Sequence, residues 1–285
     1  MLRYALITPA RDERQNLERL SAAVRAQAVL PEFWVLVDDG STDGTREYAS
    51  GLGDPYMVVV GTETAEGSLR DGRRQGRDLL AFQHGIRSLP NEVDVVVKVD
   101  ADVNFEPDFF ERLLAAFEAD PKLAMSGGSC HEFQDGQWVR RKVTPTAVWG
   151  ATRAYRWAVI DIALNLEPNV GWDGIDEIQA QLDGWHTRTL VDLPFEHHRP
   201  EGVREGKVVR AHVLSGAAAW YMGYRPSYLV LRSLYRARRD RAALGLIWGY
   251  VHSAATRAPR CSDKRVIAAL RERQRLSSLR RAVPE

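Results

Sequence analysis

The stretch Val95-Val96-Val97-Lys98-Val99-Asp100-Ala101-Asp102 decides how this chain reads. Its valine-rich run predicts a strand over 93–99, and a continuous apolar run marks a strand covered on both faces, as in a parallel sheet. The run stops at two carboxylates set two residues apart. In an extended segment that spacing places both side chains on one side, where they bracket a hard cation. A divalent ion that also takes oxygens from a diphosphate uses one or two protein carboxylates plus substrate and water. As a bare pattern, Asp-x-Asp is common in solvated loops. Its position gives it weight, because a strand leads into it and a helix is expected to start near Pro107.

Outward from that stretch, apolar runs and helical patterns alternate. Strands are expected over 4–8, 33–37 and 57–60, and helices over 13–28, from about 45, over 78–88 and over 107–119. Strands alternating with helices of this length predict βαβ units, hence an α/β fold with a mostly parallel central sheet flanked by helices. Further on, 125–133 and 138–143 read as paired strands, 151–164 and 173–183 as helices, and 189–195 as a strand. The character changes near 216, where helices are expected over 217–224, 227–239 and 242–256. The expected organisation is a catalytic body over 1–214 and a basic helical extension over 215–285.

Open parallel sheets bind ligands beyond the carboxyl ends of their strands. Three polar clusters fall at such ends: Thr8-Pro9-Ala10-Arg11-Asp12-Glu13, Asp38-Asp39-Gly40-Ser41 and Asp100-Ala101-Asp102. Turn chemistry explains any one of them, whereas three at corresponding places argue for a site.

Together with their flanks, Ile7 to Glu13, Val37 to Thr45 and Val99 to Asp102, these clusters resemble the three signatures of the family 2 glycosyltransferases of GT-A fold. The resemblance covers roughly the first 105 residues and implies an α/β nucleotide-sugar site. It implies that Pro9, Arg11, Glu13 and Asp39 hold the nucleobase and ribose, although Arg11-Asp12 replaces the family's usual Tyr-Asn. Arg77 aligns with a basic residue that meets the donor phosphates. Ala101 sits between the two metal-site carboxylates. Asp102 is the expected metal ligand, and Asp100 faces the ribose or a metal-bound water, with direct ligation by Asp100 as the alternative. The implied cofactor is manganese or magnesium. The implied partners are a UDP- or GDP-linked sugar and a glycan or lipid-linked acceptor.

An inverting transfer needs a carboxylate that deprotonates the acceptor hydroxyl. By resemblance this is Asp173, which opens a helix eleven residues before Gly184-Trp185. Trp172 stands where the family usually has glutamate, so Asp176 and Glu177 remain rivals one turn along. A plain helix cap is the other reading of Asp173. Neutral imidazole ligates metals, and the resemblance favours His198 over His197 as the ligand that completes the shell. Arg199, Arg204 and Lys207, with Gly202 and Gly206 among them, suit a loop that closes over a diphosphate. Trp149, Gly150, Arg153, Tyr155, Arg156 and Trp172 are candidates for acceptor contacts.

Composition bounds the rest. With 285 residues, 45% hydrophobic and 27% charged, the chain can bury a full core as an ordinary globular protein. Met1 to Ala10 lacks the pattern of an export signal, and two distant cysteines, Cys130 and Cys261, suit a reducing, cytoplasmic setting. The net charge of +1 hides an asymmetry: residues 215–285 carry 15 Lys/Arg against 4 Asp/Glu. Such a tail suits an anionic partner or packing on the acidic body. Aromatic and aliphatic residues interleaved with arginine favour a membrane interface, inner-face and peripheral, over nucleic acid. Two other functions fit parts of the sequence. A nucleotidyltransferase would begin with a glycine-rich phosphate loop, which Thr8-Pro9-Ala10-Arg11 is not. A non-catalytic nucleotide- or nucleic-acid-binding module would rest on the basic tail alone.

Overall fold

Four apolar runs become β1 (Tyr4–Ala10), β2 (Phe33–Asp38), β3 (Met57–Gly61) and β4 (Val95–Val99). The computed structural model describes residues 1–62, 76–134, 136–141, 146–199 and 208–275. These four strands are mutually parallel in the order β3-β2-β1-β4. Between them run α1 (Arg14–Arg25), α2 (Thr45–Gly51) and α3 (Arg77–Arg87). Every residue of β4 is buried, as continuous valines require under helices on both faces. Trp34 on β2 is fully buried, and its indole N–H donates to Thr8 Oγ1 at 3.0 Å, so its one polar atom is satisfied. The expected α/β fold is the one observed.

The sheet continues through β5 (Val103–Phe105), β6 (Leu123–Gln134), β7 (Gln137–Arg140), β8 (Thr152–Arg156) and β9 (His186–His197), with α4 (Phe109–Ala119) after β5. β8 pairs antiparallel with β4 and β6, β9 runs parallel to β6, and β5 lies antiparallel at the edge of β9. Aromatic rings of Tyr4, Phe105, Phe109 and Phe110 interlock beneath it at centroid distances of 4.9–5.3 Å.

One expected element is corrected. The helix read over 151–164 is instead β8, a 3-10 turn at Trp157–Val159 and the short α5 (Ile160–Leu164). Thr152, Arg153, Ala154 and Tyr155 are all buried between β4 and β6, and a sheet slot closed on both sides overrides their helical spacing. Three-residue β5 was not foreseen, being too short for periodicity to show.

The described residues divide into two compact units. Residues 1–62, 77–134, 136–141, 146–165 and 183–199 form the sheet-bearing unit; Gly76, 166–182 and 208–275 form a helical one. The helical unit holds α6 (Trp172–Leu182), α7 (Val208–Tyr221), α8 (Pro226–Ala237), α9 (Gly245–Ala255) and α10 (Lys264–Arg273). The boundary expected at 214/215 would keep α6 with the sheet. In the structure Gln179 Nε2 donates to Asp263 Oδ2 at 3.4 Å and Arg273 donates to Gln181 Oε1 at 2.7 Å, tying α6 to α10.

Candidate active site

The loops after β1 and β2 are sewn together by side-chain-to-backbone bonds. Asp12, at φ +53°, receives Thr42 N–H on Oδ1 at 2.7 Å and donates its own N–H to Ser41 Oγ at 3.0 Å. Glu13 N–H donates to Thr45 Oγ1 at 2.9 Å, and Arg14 N–H donates to Asp43 Oδ2 at 3.0 Å. Gly40, at φ +74°, supplies the left-handed turn that Asp38-Asp39-Gly40-Ser41 needs. Short polar residues do this work because they bond locally to backbone.

Asp39 and Arg77, read from sequence as separate contacts, meet directly. Arg77 Nε and Nη2 donate to the two Asp39 oxygens at 2.9 and 2.6 Å, a bidentate pair, and Thr62 Oγ1 adds 2.6 Å. Both side chains are buried.

At the end of β4, the Asp100 carboxylate meets Lys98 Nζ, which also donates to the Gly150 carbonyl at 3.2 Å. Asp102 is buried, and strand register explains what surrounds it. Antiparallel pairing sets Val103 opposite His197, and parallel pairing sets Glu132 opposite the same histidine. His197 Nε2 therefore lies 3.4 Å from Asp102 Oδ1, with Nδ1 3.8 Å from Glu132 Oε1. Arg199 follows, donating to both Glu13 oxygens at 3.0 and 2.6 Å, with Nε 3.6 Å from Asp102 Oδ2. The ends of β1, β4 and β9 thus share one charged cluster. Of the other loop cations named from sequence, Arg204 and Lys207, with Gly202 and Gly206, lie outside the described residues.

Burial works to raise the Asp102 carboxyl, but the His197 imidazole and the charges of His197 and Arg199 hold it below the usual carboxylate range. Burial works to lower His197, and Asp102, Asp100 and Glu132 outweigh it and push it upward. His198 goes the other way, lowered by burial and by the charge of Arg19. Its Nε2 lies 3.4 Å from Glu196 Oε2, and its ring packs edge-on to Trp138 at 5.2 Å.

Does this cluster suit a divalent metal? One ligand atom each from Asp100, Asp102 and His197 falls within 4.8 Å of the others. His197 turns Nε2 to Asp102, while Nδ1, on the Glu132 side, is buried without a hydrogen-bond partner. Two carboxylates and an imidazole make a mixed oxygen and nitrogen set, which suits manganese better than the oxygen-loving magnesium. The residues fit. It is His197 that stands beside Asp102, whereas the sequence favoured its neighbour. Glu132 and Lys98, both buried, were not singled out from sequence; a charged residue inside an apolar strand is the signal that marks each.

The remaining candidates fall in several places. Arg11 is exposed, Pro9 half-buried and Ala101 buried. Trp149 packs at the edge of the main core, and Gly150 lies beside Lys98. Arg153 is fully buried and donates to the Val148 carbonyl at 2.5 Å. Tyr155 is likewise buried, against Phe82 at 5.6 Å. Arg156 donates to the carbonyls of Leu123, Phe117 and Asp120 at 3.0, 2.6 and 3.0 Å, fastening α4 to β6. In the helical unit, Trp172 is buried, Asp173 is exposed in the first turn of α6 and Glu177 is half-buried. Asp176 is fully buried, and its Oδ1 accepts Glu177 N–H at 2.7 Å.

Residues 5–160 match the family model described as Glycosyl transferase family 2. The chain belongs to that family. As a family 2 glycosyltransferase it is 30% identical over 125 residues to a dolichol-phosphate mannosyltransferase of Pyrococcus furiosus. That match takes in 44% of this chain but 32% of the relative, about a third of its length. Among solved structures, mannosyltransferase PcManGT from Pyrobaculum calidifontis, in complex with GDP-Man and Mn2+, is similar at a TM-score of 0.57 and 17% identity, over 99% of this chain and 84% of that one. S. aureus TarS 1–349 in complex with UDP-GlcNAc gives 0.54 and 17%, over 76% and 66%. At such identities these two speak to the GT-A fold.

Proposed function

We propose that this family 2 member transfers a sugar, with inversion, from a UDP- or GDP-linked donor to a glycan or lipid-linked acceptor in the cytoplasm. Surface polysaccharide or glycolipid synthesis is the setting this reading suggests. The observation that carries it is the grouping of Asp100, Asp102 and His197 at the carboxyl end of β4, on the sheet edge where Asp39 and Arg77 pair. Solved relatives that hold GDP-Man with Mn2+ and UDP-GlcNAc support a nucleoside-diphosphate sugar as donor.

Asp102 and His197, with Asp100, would hold manganese. A cation there offsets the negative charge that develops on a departing diphosphate. Arg77 and Arg199 supply charge-assisted donors to phosphate oxygens. Asp173 is the proposed base: it takes the acceptor's hydroxyl proton as that oxygen bonds to the anomeric carbon and the bond from carbon to diphosphate oxygen breaks. Its exposure at the start of α6 favours it over fully buried Asp176.

The test is nucleotide release from UDP- and GDP-sugars, assayed separately with manganese. Asp102→Asn is expected to lower turnover at least about a hundredfold, as loss of a charge-stabilising group does. No release or transfer with any donor, or equal turnover in the variant, would sink the reading.

A further inference from the structure

Nine of the fifteen large hydrophobic residues exposed among the described residues fall between 208 and 251, within the helical unit. Their spacing is ordered. Helix α8 packs inward through Leu229 and Ser233, whose hydroxyl donates to the Ala243 carbonyl at 2.8 Å. On its opposite face Leu231, Leu234 and Tyr235 are 51%, 52% and 65% exposed. Helix α9 packs inward through Gly245, Leu246, Gly249 and Tyr250. Its outward stripe begins in the preceding turn: Leu244, Trp248 and Val251, set four and three residues apart, are 47%, 64% and 52% exposed. Single exposed apolar residues are ordinary, but stripes at helical spacing, opposite a packed face, mark a surface that meets something.

The charge around them says what. Residues 208–255 hold seven arginines and one acidic residue, Asp240. Arg236, Arg238, Arg239 and Arg241 are exposed where α8 gives way to the turn before α9, between the two apolar stripes along the chain. The Arg238 guanidinium lies 5.8 Å from the Tyr235 ring. Leucine, valine, tyrosine and tryptophan side by side with arginine suit the boundary between headgroups and acyl chains, where apolar groups enter and guanidinium groups meet lipid phosphates. A nucleic acid would use the arginines but gain nothing from Leu231, Leu234 or Val251. No helix among the described residues is long and apolar enough to cross a membrane.

We propose that the outward faces of α8 and α9 dock this protein on an anionic bilayer surface. Binding is read without donor or metal, so this proposal and the reaction succeed or fail separately.

Sedimentation of the full chain with vesicles of phosphatidylcholine, alone or mixed with phosphatidylglycerol, tests it. The protein should pellet with the mixed vesicles, less so as salt rises. Leu234→Ser/Trp248→Ser and Arg238→Glu/Arg239→Glu should each weaken binding about tenfold, since apolar insertion and charge both contribute. Circular dichroism monitors folding of the variants. If they unfold, quenching of tryptophan fluorescence by brominated phosphatidylglycerol in the unsubstituted protein replaces them, with quenching expected. Protein that stays in the supernatant, binding that both double variants keep, or absence of quenching overturns the proposal. So does binding of single-stranded RNA without vesicle binding, or a dimer that Leu234→Ser/Trp248→Ser dissociates in protein that ignores vesicles.

Discussion

His197 and His198 are neighbours in sequence with opposite surroundings, because β9 ends at His197 and successive residues of an extended segment face opposite sides. His197 turns to Asp102 and Glu132, and His198 to Glu196 and Trp138. If His197 completes the metal shell, His197→Ala should weaken manganese binding strongly while His198→Ala leaves it nearly unchanged. Calorimetric titration with manganese reads both, and a larger loss in the second variant would reverse the assignment. Glu132→Gln should weaken it about tenfold, as loss of a carboxylate behind a ligating imidazole does. For the base, Asp173→Asn should cut kcat roughly 100-fold or more while donor affinity holds. An unchanged kcat would move the role to Glu177 or Asp176.

Two helices lie so close to their neighbours that only glycine fits at the contact. A Cβ on Gly85 of α3 would stand 2.4 Å from Ile7 Cγ2 and 3.0 Å from Val37 Cγ2, so α3 rests flush on β1 and β2, next to the loops that carry the site. A Cβ on Gly249 would stand 2.0 Å from the Val213 carbonyl oxygen, where α9 meets α7 backbone to backbone. Alanine in a helix gains up to about 1 kcal/mol over glycine, and overpacking costs roughly 1–3 kcal/mol. Gly249→Ala should therefore be the more damaging, since a carbonyl held in its helix cannot swing aside as a side chain can. Denaturant unfolding with both variants tests the order, and two variants as stable as the parent would contradict it. At this scale the regular elements were readable from sequence wherever a period persisted: β1 to β4 and α1 to α4 lie within a few residues of their expected places. β8 was not, because Thr152 to Arg156 take their conformation from two flanking strands distant in the chain.

For the molecule as a whole, a site that binds donor only in the folded state should raise stability. At a hundredfold its dissociation constant, a donor would contribute about 2.7 kcal/mol. A melting-temperature screen of UDP- and GDP-sugars should show one class stabilising with manganese present and the shift vanishing with chelator. Equal shifts with and without metal would remove the cation from donor binding.

What the sequence determined by itself was the front of the molecule and its family. Apolar runs ending in Glu13, Asp39 and Asp100-Ala101-Asp102 are local signals, readable because strand, turn and carboxylate follow one another along the chain. Tertiary structure decided the partners. Pairing of β9 with β5 and β6 set His197 rather than His198 beside Asp102 and Glu132, while Arg77 closed on Asp39 and α6 joined the C-terminal helices. Such choices depend on register and on contacts between residues tens to more than a hundred positions apart, and a one-residue slip of a strand exchanges its faces.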